Sequence, residues 1–171
     1  MNINPEQIIL LQRIFGILAF SLLVIQIISG AFKKKMFHHF LSIAILFLIV
    51  LHPLLYVLFL FKIKGVLDPF YVFSDLCLLC KGNFEYFYNF GRIALWLIVF
   101  SIFVMLFKNS SQFLKKYAGK LHRLNYLAFY LVALHAKFLG TDVSVSPFKW
   151  VYWGGIVLVT ATLIIKLKRV N

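Results

Sequence analysis

Five long apolar runs occur in this chain of 171 residues, each bounded by charged residues, glycine or proline. The hydrocarbon core of a bilayer is about 30 Å thick, so a helix needs about 20 apolar residues to cross it. The chain is therefore predicted to be an all-α, polytopic membrane helix bundle that forms a single domain over residues 1–171. The five spans are expected at about 8–32, 37–61, 91–107, 121–139 and 148–166.

The composition excludes several classes of soluble protein. Hydrophobic residues make up 63% of the chain and charged residues 13%, whereas a soluble domain is usually about half apolar and about a quarter charged. A disordered tail is excluded by the same figures, and two cysteines are too few for a disulfide framework. The first apolar run is also too long for a cleavable signal peptide and has no basic segment before it.

The basic residues are distributed unequally between the two sides of the predicted bundle. The net charge is +13, which in a soluble protein would indicate nucleic acid as a partner. If the lysines at 33–35 are cytoplasmic, that side holds eleven basic residues and no acidic residue. The positive-inside rule then places the N-terminus outside and the C-terminus in the cytoplasm. We therefore expect a multi-pass protein of the cell (cytoplasmic or inner) membrane, with the lipid bilayer and not nucleic acid as its partner.

All five histidines fall in the second and fourth predicted spans, where ionisable side chains are costly and usually functional. His38 and His52 are 14 residues apart, which on an ideal helix gives a rise of about 21 Å and a phase difference of about 40°. His122 and His135 are 13 apart, which leaves them roughly 140° out of phase. The second pair therefore requires a local distortion of its helix, or imidazoles that reach inwards from different flanks.

The predicted orientation makes the second and fourth spans parallel. His38 then pairs in depth with His122 near the cytoplasmic face, and His52 pairs with His135 near the outer face. Two such levels are what two bis-histidine haems stacked across a bilayer require. Zinc is disfavoured because no Cys, Asp or Glu joins either level. Two alternatives stay open: His39 could ligate instead of His38, and the histidines could be hydrogen-bond partners between helices.

The segments around the histidines resemble the ferric-reductase-like transmembrane domain. This domain is shared by ferric reductases, NADPH oxidases and the bacterial haem subunit that serves a periplasmic methionine sulfoxide reductase. The resemblance covers nearly the whole chain and implies a cytochrome b-like electron-transport protein with two haem b groups, whose iron ligands are His38, His52, His122 and His135. The segments that carry it are residues 37–42 (FHHFLS), 51–56 (LHPLLY), 121–126 (LHRLNY) and 134–136 (LHA).

One departure from the family bears on the mechanism. Many relatives continue into flavin- and nicotinamide-binding domains, whereas only residues 166–171 follow the last span here, and no GxGxxG motif follows a strand. We expect an oxidoreductase haem subunit that receives electrons from a separate flavoprotein reductase or from membrane quinol. The expected acceptor is extracytoplasmic, such as ferric iron or a partner reductase.

Cationic side chains near the two levels are the expected partners of haem propionates. Arg123 directly follows His122 at the inner level, and we assign it to the cofactor site. Arg92 and Lys137 lie near the outer level, where a topology-setting or lipid-headgroup charge is the alternative interpretation.

Cys77 and Cys80 form a CxxC motif in the predicted outer loop. They are a candidate disulfide in an oxidising compartment. Covalent haem c attachment is disfavoured because Lys81 stands where histidine would be needed. Two alternative functions remain: a haem-free transporter or scaffold subunit whose histidines bind protons or a metal ion, and a quinone-linked thiol oxidoreductase that uses the CxxC motif.

Overall fold

The computed structural model describes residues 4–32, 35–76, 83–145 and 147–168, and these ranges contain helices and turns but no strand. The prediction of an all-helical membrane bundle is confirmed. A short 3-10 turn, Thr141–Ser144, precedes the last helix. The α-helices are α1 (Pro5–Ala31), α2 (Lys35–Lys64), α3 (Pro69–Phe73), α4 (Asn83–Leu106), α5 (Gln112–His122), α6 (Leu124–Leu139) and α7 (Phe148–Lys168).

Capping residues define where several helices begin. Asn4 accepts a hydrogen bond from a backbone N–H of the first turn of α1 and forms a capping box with Gln7, which satisfies N–H groups that have no partner within the helix. Asp68 accepts from the backbone N–H of Tyr71 at 3.0 Å and starts α3. Ser111 caps α5 in the same way, through the N–H of Leu114. Each of these helices thus begins after a short polar side chain that caps its first turn.

Within the described residues, four helices are long and apolar enough to cross a membrane, namely Pro5–Ala31, Met36–Lys64, Phe84–Leu106 and Phe148–Lys168. The third begins earlier than the predicted 91–107, so it has more than enough residues to span. The predicted fourth span, 121–139, is divided: α5 ends at His122 and α6 has only 16 residues. At 1.5 Å per residue α6 is about 24 Å long, shorter than the hydrocarbon core.

The bundle consists of two packed helix pairs that α7 helps to join. α1 packs along α2, α4 packs along α6, and α7 lies against α1 and α6. The junction is aromatic: the ring of Phe20 on α1 lies 5.5 Å from those of Phe129 on α6 and Tyr152 on α7. Gly155 of α7 allows the close approach, because a Cβ there would lie 2.8 Å from a methyl carbon of Val24. The two helices that carry the histidines, α2 and α6, therefore belong to different pairs.

Candidate functional site

Four of the five imidazoles meet in two pairs between the helix pairs. The ring centroids of His38 and His122 are 5.9 Å apart, and those of His52 and His135 are 6.5 Å apart. In both pairs the ring planes are nearly perpendicular, at 82° and 81°. The histidine that comes first on α2 meets the one that comes first on α5–α6, so the two carriers run in the same direction.

The break at Arg123 accounts for the awkward spacing of the second pair. His122 is the last residue of α5 and His135 lies in the last turns of α6, with Arg123 between the two helices. A continuous helix would turn these imidazoles away from each other by roughly 140°. The interruption changes the phase, so both rings point to α2. This is the local distortion that the 13-residue spacing requires.

Each imidazole in the two pairs is held by a hydrogen bond at Nδ1. His38 Nδ1 lies 3.1 Å from the carbonyl oxygen of Gln26 on α1, and His52 Nδ1 lies 2.8 Å from that of Gln12. His135 Nδ1 lies 3.0 Å from the carbonyl oxygen of Phe87 on α4. A carbonyl oxygen only accepts, so each of these three nitrogens carries the proton and Nε2 keeps its lone pair.

His122 has a different partner. Its Nδ1 lies 2.8 Å from the hydroxyl oxygen of Ser101 on α4 and 3.4 Å from the side-chain nitrogen of Asn125. Ser101 is fully buried. The inner level is thus built from one imidazole held by a backbone carbonyl and one held by a hydroxyl.

Three glycines lie directly behind the imidazoles that bond to carbonyls. A Cβ built on Gly30 would lie 3.0 Å from Nδ1 and Cε1 of His38, and one on Gly16 would lie 2.9 Å from Cε1 of His52. Non-bonded carbon atoms normally stay about 3.5–4.0 Å apart. The corresponding distance from Gly91 to Nδ1 of His135 is 2.7 Å. Glycine is therefore required wherever the Nδ1 edge of a ring lies against the helix that supplies its acceptor.

The acceptors and glycines recur with the same spacing as the histidines. In each of the three cases the glycine follows the acceptor residue by four positions, as in Gln12 and Gly16. On α1 this pattern, QxxxG, occurs twice at an interval of 14 residues, and on α2 the two histidines are also 14 apart. Phe87 and Ser101 have this interval on α4. The histidines were identified from sequence, whereas the recurring QxxxG was the signal for α1 that sequence reasoning missed.

Apolar residues separate the two levels. Ile45 lies seven residues after His38, and Ala128 lies seven before His135, so helical periodicity places them on the same faces as the histidines. Both are buried, with 1% and 0% of their surface exposed. The space between the levels is therefore lined by hydrocarbon on both carrier helices.

The other residues predicted from sequence lie outside the four paired imidazoles. His39 is exposed, and its ring centroid lies 6.2 Å from that of His38. Arg123 is exposed at the inner end of α6, next to the inner pair in the chain. Lys137 lies 5.5 Å over the ring of Trp153. Cys77 and Cys80 fall outside the described residues.

Arg92 binds the segment around α3 and directly follows Gly91, the glycine behind His135. It is buried, with 6% of its surface exposed, and its guanidinium donates to backbone carbonyl oxygens of the segment around α3 and to a side chain one turn away. The pairing of Arg92 with a haem propionate stays a prediction beside these contacts. The acceptors are the carbonyl oxygens of Tyr71, Val72 and Asp75 and the Oδ1 of Asn89.

An ion pair joins α1 to the 3-10 turn at the end of the bundle that carries His52 and His135. Arg13 donates from Nε to the Asp142 carboxylate at 2.9 Å and from a second nitrogen to its other oxygen. The guanidinium holds the pKa of Asp142 below its ordinary value of 3.8. Tyr88 lies near this end as well. Its hydroxyl forms a hydrogen bond with that of Tyr56, and its ring makes an edge contact with His135.

The arrangement can accept a metal centre between each pair of rings. An imidazole nitrogen binds a transition metal at about 2 Å, so two rings on opposite sides of one metal ion have centroids roughly 6 Å apart. Nε2 of His38 and of His52 would lie 3.8 Å from the Cβ position of the backing glycine, farther than Nδ1, so these nitrogens are turned away from the α1 backbone. The Gln12 side-chain amide lies 3.3 Å from Nε2 of His52. The described residues contain no group of three or more His, Cys, Asp or Glu side chains that could hold a metal ion.

Comparison with protein-family models, with curated proteins and with solved structures finds no match for this chain. The function is therefore argued from the histidine pairs and their hydrogen-bond partners.

Proposed function

We propose that this chain binds two b-type haems, one at each histidine level, and carries electrons across the membrane. The pairing of four imidazoles supports this most directly, since centroid distances of 5.9 and 6.5 Å fit two axial ligands on one metal ion. Neutral imidazole is a common haem ligand. His38, His52, His122 and His135 are the proposed iron ligands.

The hydrogen bonds at Nδ1 support the same function. A histidine that ligates a metal through one ring nitrogen almost always donates its other N–H to an acceptor, which fixes the tautomer and the ring orientation. Gln26, Gln12 and Phe87 supply such acceptors from the backbone, and Ser101 supplies a hydroxyl. These bonds fix the orientation of all four imidazoles, as metal ligation would require.

Bound haem would supply one-electron chemistry at each level, because its iron exchanges a single electron between the ferric and ferrous states. The imidazoles would hold and orient the two haems, and the backing glycines allow the imidazoles to pack closely against α1 and α4. Ile45 and Ala128 keep water from the region between the levels. Arg123 is the proposed partner of a propionate at the inner level, where its exposed guanidinium is free to pair with a carboxylate.

The donor and acceptor are proposed to lie on opposite sides of the membrane. A separate flavoprotein reductase or membrane quinol would reduce the chain from the inner side, and an extracytoplasmic metal ion or protein would accept the electron. This would make the chain an electron-transferring subunit of an oxidoreductase in the cell membrane.

Purified full-length protein in lipid nanodiscs tests the proposal. We expect reduced-minus-oxidised bands of low-spin b haem and about two haems per chain by the pyridine haemochrome assay. His52→Gln combined with His135→Gln should remove one haem and leave the other. His39→Gln is the matched control and should retain both, because that imidazole is exposed and belongs to neither pair. Folded, helical wild-type protein without visible absorbance would overturn the proposal.

A haem-free membrane protein whose histidines bind protons or a metal ion is the second candidate. One contact favours it: the side-chain amide of Gln12 lies 3.3 Å from Nε2 of His52 and can donate to it, so this ring is satisfied without a cofactor. Under the first proposal the Gln12 side chain turns aside and leaves Nε2 to the metal. Under the second candidate the purified protein is colourless and Gln12→Ala changes its proton or metal binding.

A further inference from the structure

The four paired imidazoles are not equivalent in their hydrogen bonds. Three donate from Nδ1 to a backbone carbonyl, whereas His122 meets the Ser101 hydroxyl at 2.8 Å and the Asn125 amide at 3.4 Å. A carbonyl oxygen can only accept, but a hydroxyl can both donate and accept. The partners of His122 therefore satisfy Nδ1 whether or not it carries the proton.

The sequence of α4 explains the exception. Ser101 stands 14 residues after Phe87, at the position where the repeat requires an acceptor for the inner level. Four residues after Phe87 there is a glycine, but four residues after Ser101 there is Met105. A side chain at that position hinders an imidazole from lying against the backbone as His135 does. The hydroxyl of Ser101 reaches out instead and takes the place of the carbonyl.

Burial keeps this bond free from competition by water. Ser101 has 0% of its surface exposed, so its hydroxyl is the acceptor available to the Nδ1–H of His122 on that side. The Oδ1 atom of Asn125 is buried and has no hydrogen-bond partner within the described part of the chain. The Asn125 side-chain nitrogen near Nδ1 can only donate, so it bonds to His122 in the tautomer whose Nδ1 carries no proton.

We propose that Ser101 is the positioning residue that distinguishes the inner level from the outer one. It leaves His122 able to change tautomer, whereas backbone carbonyls hold His38, His52 and His135 in the tautomer whose Nε2 carries no proton. The consequence for electron transfer rests on the proposed function. A hydroxyl is a weaker acceptor for Nδ1–H than a backbone carbonyl, so His122 is the weaker electron donor to iron. The inner haem is therefore the easier one to reduce.

Histidine tautomers test the proposal before any cofactor is added. Full-length protein labelled with ¹⁵N-histidine and reconstituted in lipid without haem is measured by solid-state NMR, and resonances are assigned by single His→Gln variants. We expect the Nδ1–H tautomer alone for His38, His52 and His135, and both tautomers for His122. Ser101→Ala should change the His122 signals only. A single Nδ1–H tautomer of His122 that Ser101→Ala leaves unchanged would overturn the proposal.

Reduction potentials of the haem-loaded protein provide the second test. Ser101→Ala removes the acceptor of Nδ1–H, so we expect the reduction equilibrium constant of one haem to rise about tenfold, which is about 59 mV for one electron, while that of the other haem is unchanged. Ser101→Thr keeps a hydroxyl and should behave as wild type. Ser21→Ala is the matched control, since that hydroxyl bonds only to the carbonyl of Ile17.

The two proposals fail in different ways. Wild-type protein without haem bands contradicts the proposed function, and the tautomers of His122 then still decide the role of Ser101. Two retained haems with unchanged or equally shifted potentials in Ser101→Ala contradict the role of Ser101 and leave the proposed function intact.

Discussion

Single glycines determine how closely the imidazoles approach their acceptors. In an α-helix the carbonyl of a residue lies beside the side chain four positions later. Where that side chain is absent, as at Gly16, Gly30 and Gly91, a ring from the neighbouring helix can lie against the backbone and donate to the carbonyl. The orientation of three histidines thus depends on residues that carry no chemistry of their own.

Gly30→Ala is expected to disturb the inner level alone. The new Cβ would lie 3.0 Å from the His38 ring, and overpacking of this kind costs about 1–3 kcal/mol. Thermal unfolding in nanodiscs should show a lower Tm, and one haem should be lost. Gly154→Ala is the matched control: nothing lies within 4 Å of its Cβ position, and alanine has the higher helix propensity. Equal effects of the two substitutions would contradict the packing argument.

Arg92→Ala is expected to release the segment around α3. The substitution leaves several carbonyl oxygens without a donor, and a buried unsatisfied polar group costs about 1–3 kcal/mol. Hydrogen exchange of residues 71–76 should accelerate, while the inner histidine level stays intact. Lys137→Ala, at the same end of the bundle, should leave that exchange rate unchanged. Unaltered protection of residues 71–76 in Arg92→Ala would show that the arginine does not hold this segment.

At the scale of helices, sequence periodicity predicted the placement of the histidines better for α2 than for α5 and α6. The 14-residue interval between His38 and His52 matches four helical turns closely enough to place both on one face, and both face the other carrier. The 13-residue interval between His122 and His135 indicated a distortion of the helix that carries them, but it did not indicate at which residue. Periodicity could not supply that position, because the break at Arg123 depends on how α5 packs against α4.

The sequence was least informative about what lies behind the imidazoles. The recurring QxxxG of α1 is visible in the chain, but it acquires a meaning only when α1 packs antiparallel to α2 and aligns Gly30 with His38 and Gly16 with His52. Arg92 is a similar case. Its position near the outer level suggested a cofactor partner, and the sequence did not indicate that the fold of the segment around α3 also brings carbonyl oxygens to it.

Asp142→Asn is expected to weaken the connection between α1 and the 3-10 turn. Both partners of the ion pair are partly exposed, so the loss at pH 7 should be about 0.2–1 kcal/mol. Because Arg13 lowers the pKa of folded Asp142, the stabilisation is present above its ordinary value of 3.8 and is lost as the pH falls through the lower folded value. Wild type and variant should therefore differ in Tm at pH 7 and converge in strong acid. A difference that persists in strong acid would contradict the electrostatic explanation.

At the scale of the whole molecule, the two histidine levels require that two separate helix pairs be held at a fixed distance. α7 contributes to this by packing on α1 and α6, with Phe20, Phe129 and Tyr152 at the junction. The levels are separated by 14 residues of α2, a rise of about 21 Å, and that depth is most of the hydrocarbon core of a bilayer. One chain of this size can therefore present a histidine pair towards each side of the bundle.

Electron transfer across a sealed bilayer tests the central claim most directly. Haem-loaded protein is reconstituted in liposomes that contain ferricyanide, and a membrane-impermeant reductant is added outside. We predict that the internal ferricyanide is reduced with wild-type protein and with His39→Gln, and that His52→Gln combined with His135→Gln abolishes this reduction. Haem-loaded, correctly inserted wild-type protein that leaves the internal ferricyanide oxidised would contradict the account.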